Sequence, residues 1–398
     1  MAHFMAVNYE ELPWISAIPI DQMSRRQARN LPSTYQAAIP SSIASAGFAV
    51  GSDLAALAED ATHTIMRLDE YATHLFEGHP VAPLASVLLR TESAASSQIE
   101  HLTVGARQLA LAEIGLAASA NAELVAGNVA TMRAAIHLAD ELNVDAILAM
   151  HAALMTGTPQ AMPGRWRDTQ VWIGSSGLSP AGAAFVPPAA SRLPEAMDDL
   201  TRFMNRYDLP AMIHTAIAHA QFETIHPFVD GNGRTGRALV HAMLRAAGVM
   251  RNVTVPVSAG LLSRIDEYTA ALTAFREGDV RPIVTAMASA AERGAFLGRW
   301  LVDQLADVLA SWQDSARPRA RSALDSLLYL AIGQPALTVA VVMSSLSVSE
   351  TAARRAIDQA VQAGVLRPTT DKKRNRAWLA ASVVDILDDF AERAGRRA

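Results

Sequence analysis

The 398-residue sequence predicts a mainly α-helical protein that carries one irregular β-hairpin and ends in a helix-turn-helix followed by a β-wing. Three observations predict this. Aromatic residues are few (6%) and Ala is abundant, and Ala loses no side-chain entropy in a helix. Apolar residues recur every three to four positions over long stretches. Those stretches are interrupted by a Gly-, Pro- and Ser-rich segment (156–188) and change character after residue 318.

Residues 1–50 hold prolines and Ser/Ala turns, with Leu12, Trp14 and Ile15 as expected docking points. The first helical pattern begins near Leu54, because Leu54, Leu57, Ala61, Ile65 and Leu68 share a face. Further helices are expected over 83–102 and 120–142, and another near Asp145, a plausible N-cap before Ile147 and Leu148. Inside 156–188, residues 170–173 and 184–186 read as short strands, joined by a turn that opens at Gly174, Ser175, Ser176 and Gly177. A segment this long without its own helices is usually functional or disordered. Helix resumes near Ser191 and again over 211–224, 260–275 and 280–309. A boundary is expected at 314–321, where Pro318 and several arginines follow a long helix. Beyond it, 324–332, 339–346 and 349–364 read as three helices, the last with Ser349 or Glu350 near its start and Gly364 at C′. Val365, Leu366 and 377–379 read as two strands around a basic turn of Lys372, Lys373, Arg374, Asn375 and Arg376.

Composition excludes several classes of function. Half the residues are hydrophobic (51%), enough for a large core. The net charge of −5 gives no chain-wide basic field for nucleic acid or an anionic membrane. With no Cys, disulfides, thiolate catalysis and Cys-ligated zinc are excluded. No run of about 18 uncharged apolar residues reads as a membrane span, and the N-terminus lacks the pattern of a signal peptide. The expected location is cytoplasmic, with no membrane partner.

The strongest signal is the run His226-Pro227-Phe228-Val229-Asp230-Gly231-Asn232-Gly233-Arg234-Thr235-Gly236-Arg237. Pro227 disfavours helical backbone at His226 and helps end the preceding helix. Gly231 and Gly233 give a tight loop, and Leu239, Val240, Met243 and Leu244 mark a new helix after it. A glycine loop running into a helix N-terminus is an anion site. Arg234 and Arg237 lie three apart on that first turn, where they oppose the helix dipole unless a polyanion offsets them. Asp230 can hold a hard divalent cation between phosphate oxygens, and His226 stands where it can deprotonate a hydroxyl. These parts suit attack on a nucleotide phosphate. A lone His at a helix end or a lone Gly-Asn-Gly turn is ordinarily structural. About eight specified positions, each roughly one in twenty, make the whole run improbable by chance.

The run resembles the signature of the Fic family, H-x-F-x-[DE]-G-N-G-R-x-x-R, at every fixed position. Val171, Trp172, Ile173 and Gly174, with Phe185, Val186, Pro187 and Pro188, resemble the family's hairpin flap and its exit, and Met197 to Leu200 continue the pattern. The resemblance implies a Fic-fold helical bundle and transfer of AMP from ATP to a Ser, Thr or Tyr hydroxyl of a target protein, with Mg²⁺. It implies that His226 is the general base and Asp230 the metal ligand. Gly231, Asn232 and Gly233 would form the anion hole, with Gly236 in the same nucleotide-binding run. Arg234 would support the phosphates and Arg237 would pair with the γ-phosphate. Phe228 would be a buried anchor, and Val171, Trp172 and Ile173 would align the target by strand addition. Gly233 favours nucleotidyl transfer, since the family's kinase-like branch tends to carry Lys there. Tyr268 is a candidate to lie near the adenosine or equally to be a core or surface residue, and Glu223 is a candidate to orient the His226 loop or equally to pair with a neighbouring arginine.

A second run, Ser96-Ser97-Gln98-Ile99-Glu100-His101, resembles the family's inhibitory helix, [ST]-x-x-x-E-[GN], through Ser96 and Glu100 on one helical face. His101 departs from the expected Gly or Asn. The resemblance implies an ion pair between Glu100 and Arg237 that denies Arg237 to ATP. The division that follows is 1–120, a helical region with the inhibitory helix at about 84–102; 121–313, the catalytic core and following helices; and 318–398, a winged helix-turn-helix. Its recognition helix would start at Ser349, with Ala352, Ala353, Ile357 and Val361 inward. Arg354, Arg355 and the wing residues would face DNA phosphates, diluted by Asp358, Asp371, Asp385, Asp388 and Asp389. Two other readings stay open: a DNA-binding regulator using the core as a nucleotide sensor, and a transferase using UTP or a choline-bearing nucleotide. Self-modification, removal of AMP from the target and a homodimer stay open too, and the sequence names no target.

Overall fold

The computed structural model describes all residues except 1, 17, 26–28, 30, 76–81, 117–118, 140, 175–178, 370–375 and 397–398. The chain opens with short strands. β1 (Ala2–His3) pairs in parallel with β4 (Ala46–Gly47), and β2 (Asn8–Pro13) pairs antiparallel with β3 (Thr34–Ile39). Helices α1 (Ser52–Leu75), α2 (Ala82–Ile99), α3 (Ala106–Glu113), α4 (Ala120–His137) and α5 (Val144–Leu154) come next. After the irregular segment follow α6 (Leu193–Met204), α7 (Ala211–Ile225), α8 (Asn232–Ala246), α9 (Val257–Leu262), α10 (Ile265–Arg276) and the long α11 (Arg281–Ala316). The last part runs α12 (Ala323–Gly333), β5 (Ala336–Thr338), α13 (Val339–Leu346), α14 (Glu350–Gln362), β6 (Arg367–Pro368), β7 (Ala377–Leu379) and α15 (Ala381–Gly395), with sheet order β5-β7-β6. The protein is mainly α, as the Ala-rich periodicity predicts.

The core explains where the site sits. Every residue of α7 from Met212 to Ile225 is buried, so this helix lies at the centre with no solvent face. α8 packs against it and against α4 and α5, burying Ala238, Leu239, Ala242 and Leu244. A second cluster joins Leu84, Val87 and Leu88 of α2 to Leu301 and Leu305 of α11 and to Leu327, Ile357 and Leu387 of the last part. The segment after residue 318 therefore shares apolar core with α2. Gly260 and Gly294 let α9 cross α11 at backbone contact: a Cβ on Gly260 would lie 2.0 Å from the Ala290 carbonyl oxygen.

Several expected boundaries move. The N-terminal strands are not evident in the sequence because Glu10, Glu11 and Pro13 obscure apolar alternation. Ile15 is exposed (84%) and is not a docking point, whereas Trp14 meets Tyr35 and Trp172 edge-to-face. The cap of α5 is Asn143, whose side chain accepts from Ala146 N–H at 2.9 Å, not Asp145. The helix expected over 120–142 ends at His137, and the one over 260–275 is two helices, α9 and α10. The flap holds a single bridge, Ile173 with Phe185, in place of two regular strands. Val365 and Leu366 are buried core residues, and the pairing strand is β6. Ser349 caps α14 as expected, accepting from Ala352 N–H. The expected turn residues Ser175, Ser176 and Gly177 and the basic-turn residues Lys372, Lys373 and Arg374, with Asn375, lie outside the described residues. Among the described residues, no helix is long and apolar enough to cross a membrane.

Gly260→Ala should lower unfolding stability by about 3 kcal/mol, because the Ala290 carbonyl is backbone and cannot rotate away. Urea unfolding of the two proteins checks this, and an unchanged midpoint would contradict the backbone contact.

Candidate active site

The signature run forms the turn from α7 into α8. His226 follows the last residue of α7 in left-handed backbone (φ 50°), its N–H donating to the Phe222 carbonyl. A non-glycine residue there is strained by roughly 1–2 kcal/mol, and such strain collects at functional sites. Gly231 (φ 80°) opens α8. A Cβ on Gly231 would lie 2.3 Å from Met155 Cε, so the loop has no room for one.

Buried polar groups hold this turn. Arg167, 2% exposed, donates to the carbonyls of His226 (2.9 Å), Thr169 (3.1 Å) and Pro188 (2.6 Å), tying the flap's base to the loop. Burial pulls its pKa down to about 10. His151 stacks on Phe228 at 3.6 Å, accepts at Nδ1 from Gly164 N–H, and donates from Nε2 to the Asp230 carbonyl at 3.0 Å. Burial pulls His151 down to about 4, consistent with a neutral ring in that donor–acceptor arrangement. Phe228 is fully buried, as expected of an anchor. The Asn232 side chain bonds both the N–H and the carbonyl of Phe228 at 2.9 Å. Its amide therefore closes the loop, and only its backbone can contribute to an anion hole.

The candidate side chains converge on a cleft of about 330 Å³ lined by Glu100, His226, Asp230, Gly231, Asn232, Gly233 and Arg234. The first intrahelical bond at this end is Thr235 N–H to the Gly231 carbonyl, as an α-helix start requires. Arg234 is 4% exposed, yet its Nε and Nη1 have no hydrogen-bond partner in the protein. A buried guanidinium with orphan donors beside a helix N-terminus fits a polyanion. The Asp230 carboxylate accepts from Gly231 N–H at 2.6 Å and lies 3.6 Å from Arg234, with its side chain 63% exposed to the cleft. Among the described residues no group of three or more His, Asp or Glu is placed to cage a metal. One exposed carboxylate beside a phosphate site instead fits a hard cation shared with ligand oxygens.

His226 is neutral near physiological pH. Burial, then Arg167 and Arg276, pull its pKa down to about 4. Its Nδ1 faces Glu223 at 3.8 Å, too long for a hydrogen bond. Burial pushes Glu223 up to about 7.

Glu100 lies across the same helix end. Its Oε1 accepts from Arg237 Nη2 at 2.9 Å. It sits where a Cβ on Gly233 would be, 2.1 Å from that position. Arg237 also donates from Nε to Ser96 Oγ (2.9 Å) and from Nη2 to the Ser96 carbonyl (2.8 Å). Burial opposes ionisation of Glu100, but Arg237, with lesser help from Arg234 and His226, holds its pKa below the ordinary value. Burial likewise opposes charge on Arg237, and Glu100 more than restores it. His101, in left-handed backbone (φ 60°), ends this helix in the conformation that Gly or Asn adopts easily.

Two candidates lie elsewhere. Tyr268 is 5% exposed, bonds His219 Nε2 at 2.7 Å and does not line the cleft of Glu100 and His226. Gly236 faces α7, where a Cβ would meet Glu223 Oε1 at 2.7 Å and Phe222 Cδ1 at 2.9 Å; it permits helix contact and does not line the cleft. Val171, Trp172 and Ile173 lie on the flap, braced by Gln170, which donates to the Pro187 carbonyl, and by Trp14. Arg167, His151 and Asn128 were not singled out from the sequence. Asn128 donates to the Ser93 carbonyl and Ser97 Oγ, fixing α2 against α4.

Comparison with known proteins agrees with this geometry. Residues 141–244 match the model of the Fic/DOC family. The chain is 32% identical over 156 residues to protein adenylyltransferase fic-1 of Caenorhabditis elegans, covering 38% of this chain and 28% of that protein. It is 31% identical over 162 residues to protein adenylyltransferase Fic of Nematostella vectensis, covering 40% and 34%. The match thus spans about a third or less of these relatives. A crystal structure of a Fic family protein from Desulfovibrio desulfuricans G20 has a TM-score of 0.53 at 22% identity, over 84% of this chain and 97% of that one, and shares the fold. The stretch 141–244, which holds the loop, the helix before it and most of the helix after it, matches the Fic/DOC family model and is similar in sequence to protein adenylyltransferases.

Proposed function

We propose that this protein is an adenylyltransferase acting on protein hydroxyls, held inactive by its own Glu100. The observation that carries the reading is the position of the Glu100 carboxylate: it lies against Gly233 at the N-terminus of α8 and occupies Arg237. A carboxylate there is an internal substitute for a phosphate, at a helix end where two arginines call for an anion.

In the active arrangement ATP would lay its phosphates on the first turn of α8, against backbone N–H groups, Arg234 and Arg237. Asp230 would hold Mg²⁺ against the phosphates, where a divalent cation neutralises charge during phosphoryl transfer. The flap residues Val171, Trp172 and Ile173 would hold an extended target segment. The target's Ser, Thr or Tyr oxygen attacks the α-phosphorus while His226 takes its proton. The bond to the bridging oxygen breaks and pyrophosphate leaves. A neutral imidazole is the form a general base requires, and its burial secures that form. Within the same reading the order helix, strand, helix, helix, strand, strand from α12 to β7 is a winged helix. Arg354 at its expected recognition helix is paired with Glu350 at 2.6 Å.

Self-labelling with α-labelled ATP and Mg²⁺ tests the reading. Glu100→Gly should raise incorporation at least about tenfold over wild type, and adding His226→Ala should abolish it. A folded, ATP-binding Glu100→Gly protein that stays unlabelled would overturn AMP transfer. The pH profile of Glu100→Gly supplies a second test. The depressed His226 pKa means that the base is already deprotonated well below neutrality and is lost only as pH falls through about 4. The rate should therefore show no inflection near about 6.5, the ordinary histidine value. An acid limb there would contradict His226 as a base in this environment.

A further inference from the structure

The Asp230 main chain is held from below by a side chain that does not line the cleft. His151, 0% exposed, reaches it from the last turn of α5. Both of its ring nitrogens are committed to main-chain groups. Gly164 N–H donates to Nδ1 at 3.1 Å, and Nε2 meets the Asp230 carbonyl oxygen at 3.0 Å. An amide N–H can only donate and a carbonyl can only accept, so the ring is fixed as its Nε2–H tautomer. One ring face stacks on Phe228 at 3.6 Å with the planes 10° apart, and the Asn232 side chain closes Phe228 from the helix side.

Two glycines build this seat. Gly164 (φ 66°) runs close over α5: a Cβ there would lie 3.0 Å from Ala152 Cβ and 3.2 Å from the Leu148 carbonyl oxygen. That approach delivers its N–H to Nδ1. Gly231, next to Asp230, packs on the same helix, where a Cβ would lie 2.9 Å from Leu154 Cδ2 and 3.6 Å from His151 Cδ2. Helix α5 is thus a floor under Asp230 and Gly231, and His151 joins that floor to the loop by a hydrogen bond.

The Asp230 carboxylate has no such packing. Its side chain is 63% exposed, accepts from Gly231 N–H at 2.6 Å and lies 3.6 Å from Arg234. A carboxylate this exposed is placed only as well as its own main chain, and His151 holds that main chain at the carbonyl. Groups that orient a metal-binding residue are commonly worth about 10–100-fold in metal affinity.

We propose that His151 is a positioning residue for the divalent cation: its Nε2–H holds the Asp230 main chain so that the carboxylate meets a cation shared with the phosphates of a bound nucleotide. The proposal rests on the nucleotide and cation part of the reading given above, and not on AMP transfer. Arg234 and Arg237 are anchored separately, because they belong to α8, which packs on α7 and α4. Loss of the His151 bond therefore weakens the contribution of the cation more than that of the nucleotide itself.

Calorimetric ATP binding with and without Mg²⁺ separates the two contributions in the full chain carrying Glu100→Gly. In this parent, Mg²⁺ should tighten ATP binding at least about tenfold. Adding His151→Asn, whose shorter amide does not reach the Asp230 carbonyl, should remove about tenfold of that gain and change metal-free ATP affinity less than about threefold. Adding His151→Gln instead, whose longer amide can donate to that carbonyl, should restore most of the gain. If urea unfolding shows that the Asn variant does not fold, His151→Phe, which keeps the stack on Phe228 and lacks both hydrogen bonds, takes its place. Equal losses of ATP affinity with and without Mg²⁺, equal behaviour of the Gln and Asn variants, or a Mg²⁺ gain that survives every substitution would overturn the proposal. A parent without any Mg²⁺ gain would overturn it together with the cation site at Asp230. A parent that shows the gain and its dependence on His151, but does not label itself, would remove AMP transfer and uphold the role of His151.

Discussion

A helix that begins with Asn-Gly-Arg-Thr-Gly-Arg must find negative charge for its first turn. The α8 dipole is positive at that end, Arg234 and Arg237 add two cations, and both are 4% exposed or less. Uncompensated buried charge is costly, so an anion of some kind belongs to the stable state. In this structure Glu100 supplies it. The ion pair is thus a consequence of an anion-seeking helix end closed by a neighbouring helix, and under the proposed function its release would expose the same demand to a nucleotide. In the proposed function, inhibition and nucleotide binding draw on one electrostatic feature.

The surrounding architecture serves to keep that feature in register. The left-handed turn at His226 is held by Arg167 from the flap side, by Asn232 from the helix side and by His151 beneath. Each makes hydrogen bonds to main-chain groups, so the loop's path is fixed independently of the charges that act in the cleft. α2 is fixed as firmly: Asn128 grips it from α4, and Glu92 joins it to Ser258 of α9 and to His241 of α8 at 2.8 Å. His241 is one helical turn beyond Arg237, so α2 and α8 are tied at two levels. The strained, polar loop and the helix that closes it both stand on buried polar contacts rather than on apolar packing alone.

Much of this was legible in the sequence where the signal was local. Helix existence followed from Ala content and apolar spacing, and the signature run named His226, Asp230, Arg234 and Arg237 as one site because its spacing fixes a turn and a first helical turn. Glu100 and Ser96 were legible as an i, i+4 pair. The rest depended on contacts distant in sequence. Arg167 is one arginine among many until folding surrounds it with carbonyls. Tyr268 reads equally as a nucleotide neighbour or a core residue, and only the packing of α10 on α7 turns it to His219. Gly236 lies inside the signature run at one of its unspecified positions, and its role is steric, against Phe222 and Glu223. The N-terminal strands were hidden because two short, polar, Pro-terminated segments about 20 residues apart carry little periodicity of their own.

The central claim is that Glu100 and ATP compete for Arg237. It is tested most directly by calorimetric ATP affinity, without reference to catalysis, in wild type and Glu100→Gln. The substitution keeps side-chain size and removes the charge. The account predicts that Glu100→Gln binds ATP about tenfold tighter or more, and that the gain disappears when Arg237→Ala is added. Equal affinity of wild type and Glu100→Gln, with both folded, would contradict it.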